Sequence, residues 1–187
     1  EFIAQTPVTL CRPDLYQGSA SSKVISLIDL ITKDTELDIR MSQPMIWADT
    51  LQALQNKECD LLLEATATEE RKKLFSFTPN YNRDPLTVIT KKKQKSISDI
   101  FDHLSETFGI LKGSNSINLL KEHYPEIKLE EVPTSLDGIE LVNQGHIFGY
   151  INSANFARTL FKDNDLRTLK MNTQLRDKLD DLQAIAT

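Results

Sequence analysis

The stretch that decides the fold is residues 47–71, which read WADTLQALQNKECDLLLEATATEER. Trp47, Leu51 and Leu54 recur at i, i+4 and i+7, a spacing that predicts the apolar face of a short helix. An acidic residue then opens a short apolar strand, and Arg71 follows where that strand has ended. In an open α/β sheet, ligands bind beyond the carboxyl ends of strands, and arginine offers a planar fork suited to carboxylate or phosphate. The stretch therefore predicts an anion-binding edge of an α/β sheet.

Strand and helix patterns alternate along the rest of the chain. A βαβαβ rhythm occurs once before residue 85 and once after residue 107, which predicts an α/β fold of two lobes, each a mostly parallel sheet flanked by helices. The predicted domains are lobe 1 at 1–84, a hinge or crossover at 85–95, lobe 2 at 96–172 and a return strand toward lobe 1 at 173–187, which leaves lobe 1 incomplete. Strands are predicted at 8–11, 37–42, 60–64, 86–90, 107–112, 128–132, 148–152, 166–171 and 183–187. Helices are predicted from 21 or 22, from 47, at 97–104 and 117–124, from a cap at Ser135 to a stop at Gly145, and at 155–162.

The composition is that of an ordinary globular protein. Of 187 residues, 40% are apolar and 26% are charged, and the formal net charge is −5. The acidic balance argues against nucleic acid as a partner, and the lysine cluster at 91–95 is predicted to be a solvated turn. No apolar stretch reaches the roughly 18 residues that span a bilayer, and no signal peptide is recognisable, so any membrane tether is expected outside these residues.

No metal site, cofactor or catalytic residue is predicted. His103, His123 and His146 are scattered without the spacing of metal ligands. The sequence has no nucleophile elbow, no phosphate loop and no Ser/His/Asp set at telling positions. An enzyme such as a lyase would need a carboxylate acid or base, for which Glu64 is the only obvious candidate.

The two cysteines are expected to be buried free thiols rather than a bridge. Cys11 ends one predicted strand and Cys59 begins its neighbour. In parallel strands these positions lie at opposite ends, which is too far apart for a disulfide.

Further segments extend the pattern of residues 47–71. FSFTPNY follows at 75–81, FGILKGSN at 108–115, YPE at 124–126 and GHIFGYINS at 145–153. In this order, from residue 8 to the end, the chain resembles the bacterial extracellular solute-binding proteins of family 3. It is similar in particular to the Venus-flytrap sensor modules that precede a membrane helix in histidine kinases and diguanylate cyclases. The resemblance implies a type II periplasmic-binding fold with two lobes, a cleft and closure on a small ligand.

The resemblance also implies roles for residues of the first lobe. Arg71 matches the arginine that clamps an α-carboxylate in amino-acid-binding members. Thr66 and Thr68 match the hydroxyl or backbone positions just before it. Tyr16 follows the first strand, where the family often places an aromatic ring over the ligand.

In the second lobe, Ser114, Asn115 and Ser116 lie between a strand and a helix, where free N–H groups offer a second grip on a carboxylate. Asn152 and Ser153 align near the position where amino-acid binders hold the ammonium with an aspartate. These two residues are neutral, which leaves the ammonium without its carboxylate. The resemblance leaves Glu64 or Asp14 to supply the missing charge.

Several of these residues have a structural alternative to the ligand role. Arg71 is alternatively a surface arginine paired with a neighbouring glutamate. Thr66 and Thr68 alternatively cap the short helix that comes next, and residues 113–115 alternatively form a plain strand-to-helix turn. Trp47 is expected in the core.

The resemblance implies a periplasmic ligand-binding sensory domain of a bacterial membrane receptor, which closes on a carboxylate-containing ligand such as an amino acid. The expected tether lies outside this chain, and a homodimer is considered for the full receptor. The alternatives are a solute-binding subunit of an ABC transporter, a ligand-free relay module and, less favoured, a lyase.

Overall fold

The structure, a computed structural model, describes residues 7–13, 22–35, 37–163, 166–175 and 179–187. The chain forms two compact units. Unit 1 comprises Glu1–Tyr81 and Gln183–Thr187, and unit 2 comprises Asn82–Leu182. Unit 2 is therefore continuous in sequence, whereas unit 1 is made from two separate stretches.

The strands and helices alternate in the order that the sequence predicts. The strands are β1 (Val8–Pro13), β2 (Ile39–Met45), β3 (Leu62–Thr66), β4 (Asn82–Lys91), β5 (Thr107–Leu111), β6 (Lys128–Val132), β7 (Gly149–Ser153), β8 (Leu169–Gln174) and β9 (Asp180–Ala186). The α-helices are α1 (Ser22–Thr32), α2 (Trp47–Gln55), α3 (Ser116–His123), α4 (Ser135–Gln144) and α5 (Ala154–Asp163), and two short 3-10 helices span Arg71–Lys73 and Ile100–His103.

Unit 1 is built on parallel strands. Strand β1 pairs in parallel with β2, and Leu10 of β1 forms a parallel bridge with Leu61, next to the start of β3. Strand β9 runs antiparallel to β3. The partly buried Trp47 packs against the core of the unit, as predicted, and the buried members of that core are Cys11, Ala53, Leu54, Cys59, Leu62, Ala65, Phe75 and Ala186.

Cys11 and Cys59 form a disulfide with a Cα–Cα distance of 5.3 Å, so the prediction of free thiols is wrong. The prediction placed Cys59 at the start of an extended strand that pairs with the strand of Cys11. In the structure the chain bends over residues 58–60, and β3 begins only at Leu62. Because Cys59 lies in this bend, it is not held in the ladder register and lies beside Cys11 at a distance that suits a bridge.

Unit 2 contains a sheet in the order β8-β4-β7-β5-β6. Strand β5 is parallel to β6 and β7, and β4 is antiparallel to β7 and β8. Buried apolar side chains from Phe108, Ile110 and Ile151 contribute to one core cluster with Leu120 of α3. The helix-flanked sheets confirm the predicted α/β fold class, and the sheet of unit 2 is mixed, with two parallel and two antiparallel pairings in this order of strands.

Two local predictions in unit 2 need correction. Residues 97–104, predicted as a helix, form only the 3-10 helix Ile100–His103, because Asp99 accepts the Phe101 N–H and starts the turn late. Helix α4 is capped by Thr134, not by Ser135. The Thr134 and Asp137 side chains form a reciprocal capping box. The predicted stop at Gly145 is confirmed, since this residue takes the left-handed conformation with φ 85°.

Within the described residues, no helix is both long and apolar enough to cross a membrane. In the same part of the chain, no three histidine, cysteine or acidic side chains come together in an arrangement that could hold a metal ion.

Candidate functional site

Four of the predicted site residues of unit 1 lie at or just beyond the carboxyl end of β3. Nη1 of Arg71 donates to the carbonyl of Thr66 at 3.1 Å, and its guanidinium lies 5.8 Å from the centre of the Trp47 ring. Thr68 Oγ1 accepts the backbone N–H of Arg71 at 3.1 Å, so the Thr68 hydroxyl supports the first residue of the 3-10 helix. These contacts orient the half-buried Arg71 side chain, and a guanidinium so held can bind a carboxylate through two parallel N–H donors.

Glu69, an acidic neighbour of Arg71, has a lysine partner. Lys72 Nζ lies 2.6 Å from Glu69 Oε1, and this hydrogen bond, reinforced by the lysine charge, lowers the pKa of Glu69. Glu69 is therefore paired with Lys72. Both groups are exposed, so the pair contributes little to stability.

Glu64 has an unusual backbone. Its φ is 60°, a left-handed value that is rare outside glycine and Asn or Asp, and it lies where the register of β3 and β9 shifts. Its N–H donates to the Tyr81 hydroxyl at 2.9 Å. Backbone strain of this kind is often found at binding sites, and here it lies two residues before Thr66.

The predicted site residues of unit 2 also share one edge. Strands β5 and β7 are parallel, so Ser114, which comes after β5, and Ser153, which ends β7, lie at the same edge of the sheet. Ser114 Oγ accepts the Ser116 N–H at 3.2 Å, and Ser153 Oγ accepts the Phe156 N–H at 3.2 Å. Ser153 therefore caps α5, and the Ser114 hydroxyl satisfies the N–H of the first residue of α3. Asn115 precedes α3 without a capping bond from its side chain.

Asn152 belongs to a network of side chains inside unit 2. Its Nδ2 donates to the Tyr150 hydroxyl at 3.2 Å, and its Oδ1 accepts the Ser153 N–H at 2.7 Å. The fully buried Tyr150 donates in turn to Ser135 Oγ at 2.8 Å. This network explains why a neutral amide occupies position 152, since a carboxylate could not donate to the tyrosine.

Alkaline pH is expected to destabilise the fold through Tyr150. Burial raises the pKa of Tyr150 to about 12 from its ordinary value of 10. Because the folded state holds the phenolic proton more tightly than the unfolded state, this stabilisation is complete below pH 10 and is lost as the pH rises toward 12. Urea midpoints measured across this range should fall more steeply for wild type than for Tyr150→Phe. Parallel profiles would contradict the prediction.

The sequence gives no indication that Asp84 and the Nε atom of Arg12 are buried. Arg12, at the end of β1, has a buried Nε that finds no hydrogen-bond partner within the described residues. Asp84 is only 1% exposed and accepts the Asn155 N–H at 3.1 Å, at the start of α5. Their burial depends on neighbours that are distant in sequence. Asp14 and Tyr16, which the sequence places in the site, lie outside the described residues.

Known proteins resemble this chain in sequence and in fold. The virulence sensor protein BvgS of Bordetella bronchiseptica is 26% identical over 140 residues, which cover 74% of this chain and 11% of that protein. An amino-acid-binding protein, AabA of Dichelobacter nodosus, is 32% identical over 108 residues, which cover 57% of this chain and 42% of the relative. A crystal structure of a double mutant of the BvgS VFT2 domain from Bordetella pertussis has a TM-score of 0.80 at 18% identity, and the match covers 96% of this chain and 79% of that one.

The sequence relatives are thus matched over only a part of their length, whereas the similarity of fold extends over nearly the whole of this chain. The family model of the bacterial extracellular solute-binding proteins, family 3, matches residues 17–186. The chain therefore belongs to the bacterial extracellular solute-binding proteins, family 3.

Proposed function

We propose that this chain is the periplasmic ligand-binding module of a bacterial membrane signalling receptor, and that it binds a small carboxylate-containing ligand such as an amino acid. The observation that carries the proposal is the Arg71 guanidinium, which is held at the carboxyl end of β3 by the Thr66 carbonyl and the Trp47 ring. An oriented arginine at the carboxyl end of a strand is a suitable anchor for a carboxylate.

Two kinds of relative support this function. BvgS is a sensor protein, and AabA is an amino-acid-binding protein. The buried disulfide between Cys11 and Cys59 supports an oxidising location such as the periplasm, because reducing compartments keep thiols reduced. The proposed receptor is tethered to the inner membrane and is a homodimer.

The ligand-binding residues proposed in unit 1 are Arg71, Thr66, Thr68 and Glu64, together with Asp14 and Tyr16. In unit 2 the proposal includes backbone N–H groups at the start of α3 and the polar edge of β7. The binding must favour one conformation of the module over another, because only such a difference in affinity can transmit a signal. Binding rather than chemistry is the proposed activity. The ligand-binding residues proposed in unit 2 are Ser114, Asn115, Ser116, Asn152 and Ser153.

Replacement of Arg71 by alanine should reduce stabilisation by the ligand by at least about half. Wild type and Arg71→Ala are screened by thermal shift against the common L-amino acids and small dicarboxylates. A ligand at about 100 times its Kd stabilises the folded state by about 2.7 kcal/mol, which raises Tm by several degrees in a chain of this size. Loss of a charge-assisted pair should weaken binding by at least about tenfold, which reduces the stabilisation at that concentration to about 1.4 kcal/mol or less.

Lys73→Ala is the matched control, since Lys73 is an exposed cation in the same 3-10 helix. It should bind like wild type. Equal binding by Arg71→Ala would contradict the proposed anchor. A panel without any ligand would favour the relay module, and turnover of a ligand that is lost in Glu64→Gln would indicate a lyase.

A second candidate is a solute-binding subunit of a transporter, which would bind an amino acid, as the name of AabA says of that relative. The two candidates share the ligand site and differ in the segments that the full protein carries after it. Sequencing the gene beyond residue 187 separates them, because a sensor requires a membrane span and then a cytoplasmic signalling domain.

A further inference from the structure

Unit 2 contains a groove that is lined by none of the proposed ligand-binding residues within the described part of the chain. Its volume is about 480 Å³, within the range of small-molecule sites. Buried apolar side chains form part of its wall. Polar groups line the rest. The apolar residues are Ile97, Ile100 and Leu175, and the polar residues are Ser98, Asp99, Tyr124 and Thr173.

The charge of the groove comes from Asp99, the only charged residue among the described residues that line it. The Asp99 carboxylate lies close enough to the Tyr124 phenol to contribute, after burial, to raising the pKa of that phenol. One oxygen of Asp99 accepts the Phe101 N–H at 3.0 Å. A carboxylate offers about four acceptor positions on its two oxygens, so this bond leaves capacity for a donor from a ligand.

The ring of Tyr124 lines the groove and has a second aromatic ring packed against it. Phe101 is 57% exposed, and its ring packs edge to face against Tyr124 with centroids 4.8 Å apart. An ammonium group is attracted both by the carboxylate and by the faces of such rings. An anion would instead be repelled by Asp99. The groove therefore favours a cation with an apolar body.

We propose that this groove is a ligand site for a small organic amine, with the ammonium at Asp99 and Tyr124 and the apolar part against Ile97, Ile100 and Leu175. The site goes beyond the carboxylate-binding function and does not depend on it. Its residues all belong to unit 2, whereas Arg71 belongs to unit 1.

The test titrates 2-phenylethylamine and its neutral analogue 2-phenylethanol into the whole chain and follows backbone amides by ¹H–¹⁵N NMR. The amine should shift the amides of residues 97–101, 124 and 173. In Asp99→Asn its affinity should fall at least about tenfold, because a charge-assisted contact is lost. Asparagine retains the side-chain oxygen that caps the 3-10 helix, so this variant should fold.

Asp102→Asn is the matched control, because Asp102 is an exposed acid in the 3-10 helix that Asp99 caps and does not line the groove. It should bind the amine like wild type. Three results would overturn the proposal: no shifts at these amides with millimolar amine, equal affinity in Asp99→Asn, or equal affinity for the alcohol. An Arg71→Ala chain should still bind the amine, which separates this test from that of the carboxylate site.

Discussion

Replacing Cys11 and Cys59 together by alanine is expected to lower the free energy of unfolding of unit 1 by about 4 kcal/mol. The two cysteines are 48 positions apart, and a crosslink that closes a loop of this length removes about that much chain entropy from the unfolded state. Both side chains are buried, so alanine leaves no unpaired polar group in the core. Urea unfolding followed by fluorescence of Trp47, the only tryptophan, reports on the core to which both cysteines belong.

Wild type treated with a reductant is the control for this variant. It should lose most of the same stability, because it lacks the crosslink but keeps both sulfur atoms in the core. A thiol assay on the unfolded, unreduced protein checks that Cys11 and Cys59 are bridged. Two reactive thiols per chain in that assay would show that the bridge is absent and would contradict the prediction.

Gly138→Ala is expected to destabilise unit 2 by about 3 kcal/mol. A Cβ at this position would lie 2.5 Å from Cε2 of Tyr150, well inside van der Waals contact. The ring has no room to move, because it is fully buried and its hydroxyl is bonded to Ser135 and Asn152. Overpacking of this kind typically costs about 1–3 kcal/mol, and the rigid ring places the cost at the upper end despite the better helix propensity of alanine. Urea unfolding followed by near-ultraviolet circular dichroism of the tyrosines measures this loss of stability.

Glu140→Ala, on the exposed side of the same helix α4, should change stability by less than about 0.5 kcal/mol. In a Tyr150→Leu background the added methyl group meets no ring, so Gly138→Ala should cost much less there. An equal cost in both backgrounds would show that the clash with Tyr150 is not the cause.

Local patterns predict the alternation of strands and helices because the periodicity depends on neighbouring residues only. The strand predicted at residues 128–132 has the bounds that the structure gives to β6. The patterns fail where a distant residue decides the geometry. The bend that brings Cys59 to Cys11 depends on pairing with β1. The late start of the 3-10 helix at Ile100 has a local cause instead, because the adjacent Asp99 accepts the Phe101 N–H.

In the candidate site, too, the sequence predicts some features and not others. The position of Arg71 after a strand is visible in the sequence, and the structure adds the Thr66 carbonyl and the Trp47 ring that orient its side chain. The network of Asn152 with Tyr150 and Ser135 could not be predicted, because it joins β7 to the first residue of α4. The ligand role of these residues stays a prediction until the Arg71 experiment is done.

The division of unit 1 into two stretches has a consequence for biosynthesis. Strand β3 pairs with β9, yet all of unit 2 lies between them in sequence. A chain that emerges N-terminus first can complete unit 2 while β3 still lacks this partner, so the unit that appears first finishes last. During that interval the open edge of β3 is exposed to wrong pairing. The disulfide joins two residues that both precede unit 2, so an early oxidation can hold the first stretch of unit 1 together until β9 arrives.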